Sequence, residues 1–283
     1  MSRYLLVVLI FISSVWAGEL EDCLNKGHAL YKDKRYDDAL QEYDRAISLD
    51  SESLEAWRGL SNCLLALSLR EDLIYAYEKI IELDPNDPIA HFGRGVCLEE
   101  LGRNKEAVPS FAAAVKIRPN NCEYLHRMGE NLYALNRVEE ALQAFDAAIK
   151  IDSGYYEAHL GRSMSLNILN RFEEALKACD KAHELRPDLP IALNNKGTVF
   201  IAMGRFDEAL ACYDRALEIV PDFERAFYNK ACAYALLGEK AKMLEYLSKT
   251  FEIEPQWREA VKIDPDFDAY RDDADLKQLI GME

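Results

Sequence analysis

Small and apolar residues return along this chain at a fixed interval of thirty-four positions, and inside each interval they return at helical spacing. Rows of thirty-four laid from Leu20 align seven times without an insertion and end at Trp257. The eighth slot is small in every row: Gly27, Ser61, Gly95, Gly129, Ser163, Gly197 and Ala231. The twentieth reads Ala39, Leu73, Ala107, Ala141, Ala175, Ala209 and Met243, and the twenty-seventh reads Ala46, Ile80, Ala114, Ala148, Ala182, Ala216 and Thr250. The twenty-fourth is aromatic at Tyr43, Tyr77, Phe111, Phe145 and Tyr213, with Cys179 and Leu247 in the remaining rows. Steps of three and four place these residues on one face of a helix, so each row predicts two amphipathic helices.

The breaks between helices are encoded as well. Gly102, Asn136, Asn170, Gly204 and Gly238 stand between the two helices of their rows and are residues able to take the left-handed conformation that ends a helix. Pro85, Pro119, Pro187, Pro221 and Pro255 share the thirty-second slot, where a proline pushes the preceding residue out of helical geometry. Small residues at slots eight and twenty let the paired helices approach closely, and slot twenty-seven admits the next row. Departures predict local differences. Leu73 and Ile80 should hold the neighbours of the second row apart, and Pro109 should give the second helix of the third row a late start or a slight bend. Met243, Leu247 and Thr250 abandon the small-residue code and mark the end of the array.

These columns resemble the tetratricopeptide repeat family. The resemblance implies an all-α, right-handed superhelical α-solenoid of antiparallel helix pairs, with repeats at residues 20–53, 54–87, 88–121, 122–155, 156–189, 190–223 and 224–257. Residues 258–283 are then a C-terminal cap, with Leu276, Leu279 and Ile280 at helical spacing. The family further implies a protein–protein interaction scaffold whose first helices line a concave groove, slots two, five, six, nine, twelve and thirteen pointing into it. Read onto this chain, the groove candidates are Phe92, His126, Arg127, Leu160, Asn194, Asn195, Tyr228 and Asn229. Gly59, Gly93 and Gly161 fall at the same slots. Asn195 and Asn229 share slot six of adjacent rows, where side-chain amides can hydrogen-bond the backbone of an extended peptide. Met164, Ile168 and Ile201 either form side-chain pockets there or pack on the neighbouring helix. The set of Lys, Asn and Arg with which some relatives grip a C-terminal carboxylate is missing, Leu24 and His28 standing where the first row would need Lys and Asn. The alternative to a peptide-binding scaffold is an accessory or assembly subunit of a multiprotein complex or of a partner enzyme.

Charge narrows the partner. With 50 acidic against 34 basic residues the net charge is −16, a field that repels phosphate backbones and anionic lipid, so a protein or peptide is expected and nucleic acid is not. Residues 1–17 differ in composition from the rest. One Arg and an apolar run from Tyr4 to Trp16, with Val15 and Ala17 at small-residue positions, predict a signal peptide cleaved after Ala17 and hence an exported protein, secreted, periplasmic or at the cell surface. An uncleaved membrane anchor over residues 4–17 is the alternative. Seven cysteines, at 23, 63, 97, 122, 179, 212 and 232, are odd in number and irregularly spaced, which disfavours a disulfide framework or a structural zinc motif. The histidines, at 28, 91, 126, 159 and 183, fall at unrelated slots. Acidic pairs such as Glu139-Glu140 and Glu173-Glu174 fall where each second helix begins and complement its dipole. No catalytic residue, metal site or cofactor is expected.

Overall fold

A computed structural model describes the backbone of residues 3–282 and the side chains of residues 18–282; the expected leader and its cleavage point lie outside the residues described in full. Among the described residues the chain is helical without strands and divides into two compact units, residues 1–135 and 136–283. The first unit holds α1 (Arg3–Lys32), α2 (Tyr36–Leu49), α3 (Leu54–Ala66), α4 (Arg70–Leu83), α5 (Pro88–Glu100), α6 (Asn104–Ile117) and α7 (Cys122–Ala134). The second holds α8 (Val138–Ile151), α9 (Tyr156–Ile168), α10 (Phe172–Leu185), α11 (Ile191–Ala202), α12 (Phe206–Ile219), α13 (Glu224–Leu236) and α14 (Lys240–Ile253), then the cap. Within each unit every helix packs on the next, and first helices also meet across rows, α1 with α3, α9 with α11 and α11 with α13. Each unit is thus an all-α stack of helix pairs.

The hairpin turns are uniform. Lys34, Ser68, Gly102, Asn136, Asn170, Gly204 and Gly238 all occupy slot fifteen and all have φ between +56° and +79°. At the turns of Lys34, Ser68, Gly102, Asn170, Gly204 and Gly238, the following N–H reaches the carbonyl five residues back at 2.8–3.0 Å, satisfying an end-of-helix acceptor. Lys34 and Ser68 do this without the glycine or asparagine the conformation favours. The second helices then start without a side-chain cap. Instead Arg35, Arg103, Arg137, Arg171 and Arg205 each pair with a carboxylate three residues on: Asp38, Glu106, Glu140, Glu174 and Glu208. The acidic residues at the helix starts are therefore paired as well as placed against the dipole. At the far end, Asp84, Arg118, Arg186, Val220 and Glu254 are extended ahead of their prolines, as pre-proline residues must be.

Packing across rows corrects part of the slot assignment. The aromatic ring at slot twenty-four lies against the slot-eight glycine of its own row, with the space for a Cβ at Gly95 only 2.8 Å from Phe111 and that at Gly27 2.9 Å from Tyr43. It also covers slot six of the next row: Tyr43 on Gly59, Tyr77 on Gly93, Phe145 on Gly161, each too close for any β-carbon. Those three glycines are stacking residues under the preceding row's ring. Leu73 and Ile80 are fully buried, and beside Ile80 a cavity of about 470 Å³ opens between the second and third rows. The expected late start at Pro109 does not occur. α6 begins at Asn104, in the same slot as the other second helices, because the turn at Gly102 fixes the start and the proline removes only one hydrogen bond, to the Lys105 carbonyl.

The cap is three short pieces, α15 (Trp257–Ile263), a 3-10 turn (Pro265–Tyr270) and α16 (Ala274–Ile280). Phe267, Val261, Leu276 and Ile280 form its core with Leu247 and Phe251 of α14 and with Tyr228 of α13. Arg271 closes the end of α15, its guanidinium donating to the carbonyls of Val261 and Asp264 at 3.0 and 2.8 Å and also to that of Lys262.

Candidate protein-interaction surface

In the second unit the first helices α9, α11 and α13 present one face. On α9, Met164 and Ile168 are 39% and 48% exposed and one helical turn apart, with half-buried Leu160 one turn before them. Asn194 of α11 is 5% exposed, and its Oδ1 accepts from Nδ2 of Asn229 on α13 at 2.9 Å. That amide pair bridges two helices. Asn195 is half-buried beside it, and its Nδ2, like Oδ1 of Asn167 on α9, is buried without a hydrogen-bond partner. Exposed Thr198 continues the face on α11, its hydroxyl bonded to the Asn194 carbonyl at 3.2 Å. Two aliphatic side chains and uncharged polar groups make a surface without net charge on a strongly acidic chain.

Tyr228, expected to project into the groove, does not. It is 6% exposed, stacks obliquely on Trp257 with ring centroids 4.4 Å apart, and donates its hydroxyl to Asp264 at 2.6 Å. The physical reason is the cap, whose first helix and 3-10 turn take the neighbour position that another repeat would fill. Burial, then the bond to Asp264, pushes the tyrosine's pKa far above its usual value.

In the first unit the corresponding face is built from charge pairs. Phe92 of α5 is half-buried, stacked on Tyr124 of α7 at 4.5 Å and tilted on Phe111 of α6 at 5.6 Å. Arg127 Nη1 meets Glu99 Oε1 at 3.1 Å, and His126 Nε2 lies 3.2 Å from Glu130. Burial raises the Glu130 carboxyl, but hydrogen bonding to His126 and the charges of His126 and Arg127 outweigh it and hold it below the ordinary range. Arg58 reaches Asp87 at 2.7 Å, at the mouth of the cavity beside Ile80 that Asn62, Tyr77 and Arg118 also line. Phe92 and Arg127 thus join neighbouring first helices to one another, whereas Leu160 lies one turn from the exposed Met164. Asn167 stands at slot twelve of its row, one of the groove slots that the family resemblance implies.

The chain belongs to the tetratricopeptide repeat family. Models of that repeat match residues 24–72, 74–121 and 126–190, then 190–223 and 224–256. Among solved structures, YrrB, a TPR protein with an unusual peptide-binding site, is 25% identical over 66% of this chain and 97% of its own, with a TM-score of 0.58. A tetratricopeptide repeat protein from Parabacteroides merdae is 13% identical over 93% of this chain and 98% of its own, with a TM-score of 0.67. The type IV pilus biogenesis factor PilW is 19% identical over 76% of this chain and 97% of its own, with a TM-score of 0.60. The last two show the fold alone. No curated protein matches the chain. Proteins of this family are in general interaction scaffolds that bind proteins or peptides, and the fold is typically non-catalytic. Among the described residues no helix is long and apolar enough to cross a membrane.

Proposed function

We propose that this chain is a protein-interaction scaffold that holds an extended peptide, or an extended segment of a partner surface, on the face of α9, α11 and α13. The observation that carries this reading is the exposed pair Met164 and Ile168 on α9, the helix that also carries the half-buried Asn167. Aliphatic side chains grip a partner's apolar residues, while amides serve main-chain groups irrespective of sequence. The peptide-binding site of YrrB, on a related array, supports the same use. Selection of a random peptide library on the full chain tests it. Enriched peptides lose affinity at least tenfold on Met164→Glu with Ile168→Glu, and keep it on Ile89→Glu, an exposed apolar position in the other unit. Equal affinity for all three proteins would overturn the reading.

We propose further that residues 1–17 direct export and are removed after Ala17. The apolar run and the small residues at Val15 and Ala17 support this. N-terminal sequencing of the protein from its own cells decides it: a chain that starts at Gly18 supports export, and one that starts at Met1 overturns cleavage.

A further inference from the structure

Behind Tyr228, three side chains that metals favour converge at the junction of the last repeat and the cap. Cys232 lies one turn along α13 from Tyr228, Asp264 is the link between α15 and the 3-10 turn, and Asp266 stands in the first residues of that turn. One ligand atom from each lies within 4.8 Å of the others, and Cys232 Sγ is 3.9 Å from Asp264 Oδ2. Cys232 is 94% buried, and outside this cluster its thiol has no hydrogen-bond partner among the described residues. A separate observation concerns charge. Among the described residues no basic side chain forms an ion pair with Asp264 or Asp266; the nearby Arg271 spends its guanidinium on main-chain carbonyls and on Asp268. Two carboxylates and a thiol are therefore partly withdrawn from water with no counter-charge, an arrangement that costs free energy unless protons or a cation neutralise it.

We propose that Cys232, Asp264 and Asp266 bind a divalent cation of the zinc type. A thiolate with two carboxylates selects a borderline-soft ion over magnesium or calcium, which require six or more oxygen donors. Tetrahedral zinc sets its ligand atoms about 3.3–3.8 Å apart, so the cluster needs to contract by only about 1 Å. Both oxygens of Asp264 are already oriented, Oδ2 by the Tyr228 hydroxyl at 2.6 Å and Oδ1 by the Asp266 N–H at 3.0 Å, so Oδ2, the oxygen that faces Cys232 Sγ, is the one to coordinate, with a fourth position left to water. Binding expels the thiol proton of Cys232 to solvent as the sulfur–metal bond forms. The bound ion would cross-link α13 to the cap and hold the open end of the array shut.

The test is titration of the full, reduced, chelator-stripped chain with zinc and with cadmium. One equivalent of cadmium gives an ultraviolet thiolate charge-transfer band, and one equivalent of zinc raises the unfolding midpoint. Cys232→Ser abolishes the band although six other thiols remain, and Asp266→Asn weakens zinc about tenfold or more. Circular dichroism monitors the fold of each variant; if Cys232→Ser does not fold, the Asp266→Asn affinity decides. Absence of a band at one equivalent, a band that survives Cys232→Ser, or unchanged zinc affinity in Asp266→Asn each overturns the proposal. The last two would assign any binding to other cysteines.

Discussion

Tyr43 of α2 covers Gly59 of α3 so closely that no β-carbon fits beneath its ring. The ring is 1% exposed and belongs to the preceding repeat, so this contact sets the spacing between the first two rows. Gly59→Ala forces the two helices apart and should cost about 1–3 kcal/mol, the usual range for overpacking. Urea unfolding measures it. In the double variant with Tyr43→Leu the two effects should fall short of additive, because the smaller side chain removes the clash; strict additivity would mean that the contact does not set the spacing.

Lys34 and Ser68 adopt positive φ at the hairpin turns where other rows have Gly or Asn. A left-handed residue other than glycine costs about 1–2 kcal/mol, and glycine returns part of that through its freer unfolded chain. Lys34→Gly and Ser68→Gly should each stabilise the protein by about 0.5–1 kcal/mol. The converse holds at Gly204, where a Cβ would meet nothing and only the backbone angle objects; Gly204→Ala should destabilise by about 1 kcal/mol. Thermal midpoints of the three variants, with opposite signs, check the argument.

The repeat is legible because it is the stacking that repeats. Slots eight, twenty and twenty-seven must be small wherever helices meet, so their pattern survives in a single sequence. What was hidden depends on neighbours in space. Gly59, Gly93 and Gly161 pass for groove positions until the previous row's ring is seen over them. Tyr228 passes for a ligand contact until the aperiodic cap is traced back across it. Lys34 and Ser68 betray nothing of their backbone angle in their side chains. Asn195 and Asn229 share slot six, yet Asn229 bonds Asn194 at slot five, which no spacing along one helix reveals.

Asp87 links α3 to α5. Its Oδ1 accepts from the N–H groups of Ile89 and Ala90 at 2.9 and 3.0 Å, capping α5, and its Oδ2 accepts from Arg58 at 2.7 Å. Burial alone would raise this carboxyl, but the bond from Arg58 and the two backbone bonds prevail and hold it below its ordinary value. A carboxyl whose pKa falls on folding contributes stability above its unfolded pKa, near 3.9, and loses it as the pH drops through the folded value. Urea midpoints of the wild type should therefore fall between about pH 4 and pH 2. In Asp87→Asn that acid-induced fall should be smaller, with lower stability at pH 7. Parallel curves for the two proteins would show that Asp87 does not couple folding to pH.

Phe267 anchors the cap. It is wholly buried, set edge-on to Tyr228 with centroids 5.9 Å apart, and packed in one cluster with Leu247 and Met243 of the last second helix. Phe267→Ala removes a full aromatic side chain from that cluster and should cost about 3–5 kcal/mol. The loss should be local, because a stacked array passes energy only between neighbours. Hydrogen exchange should accelerate over residues 257–280 and in α13 while α9 and α10 keep their protection. Release of the cap also bares Met243 and Leu247, which lack the small side chains that would let another repeat dock in register, so the variant should associate more readily at high concentration, as light scattering would detect. Uniform loss of protection through α9 would show instead that the cap supports the whole unit.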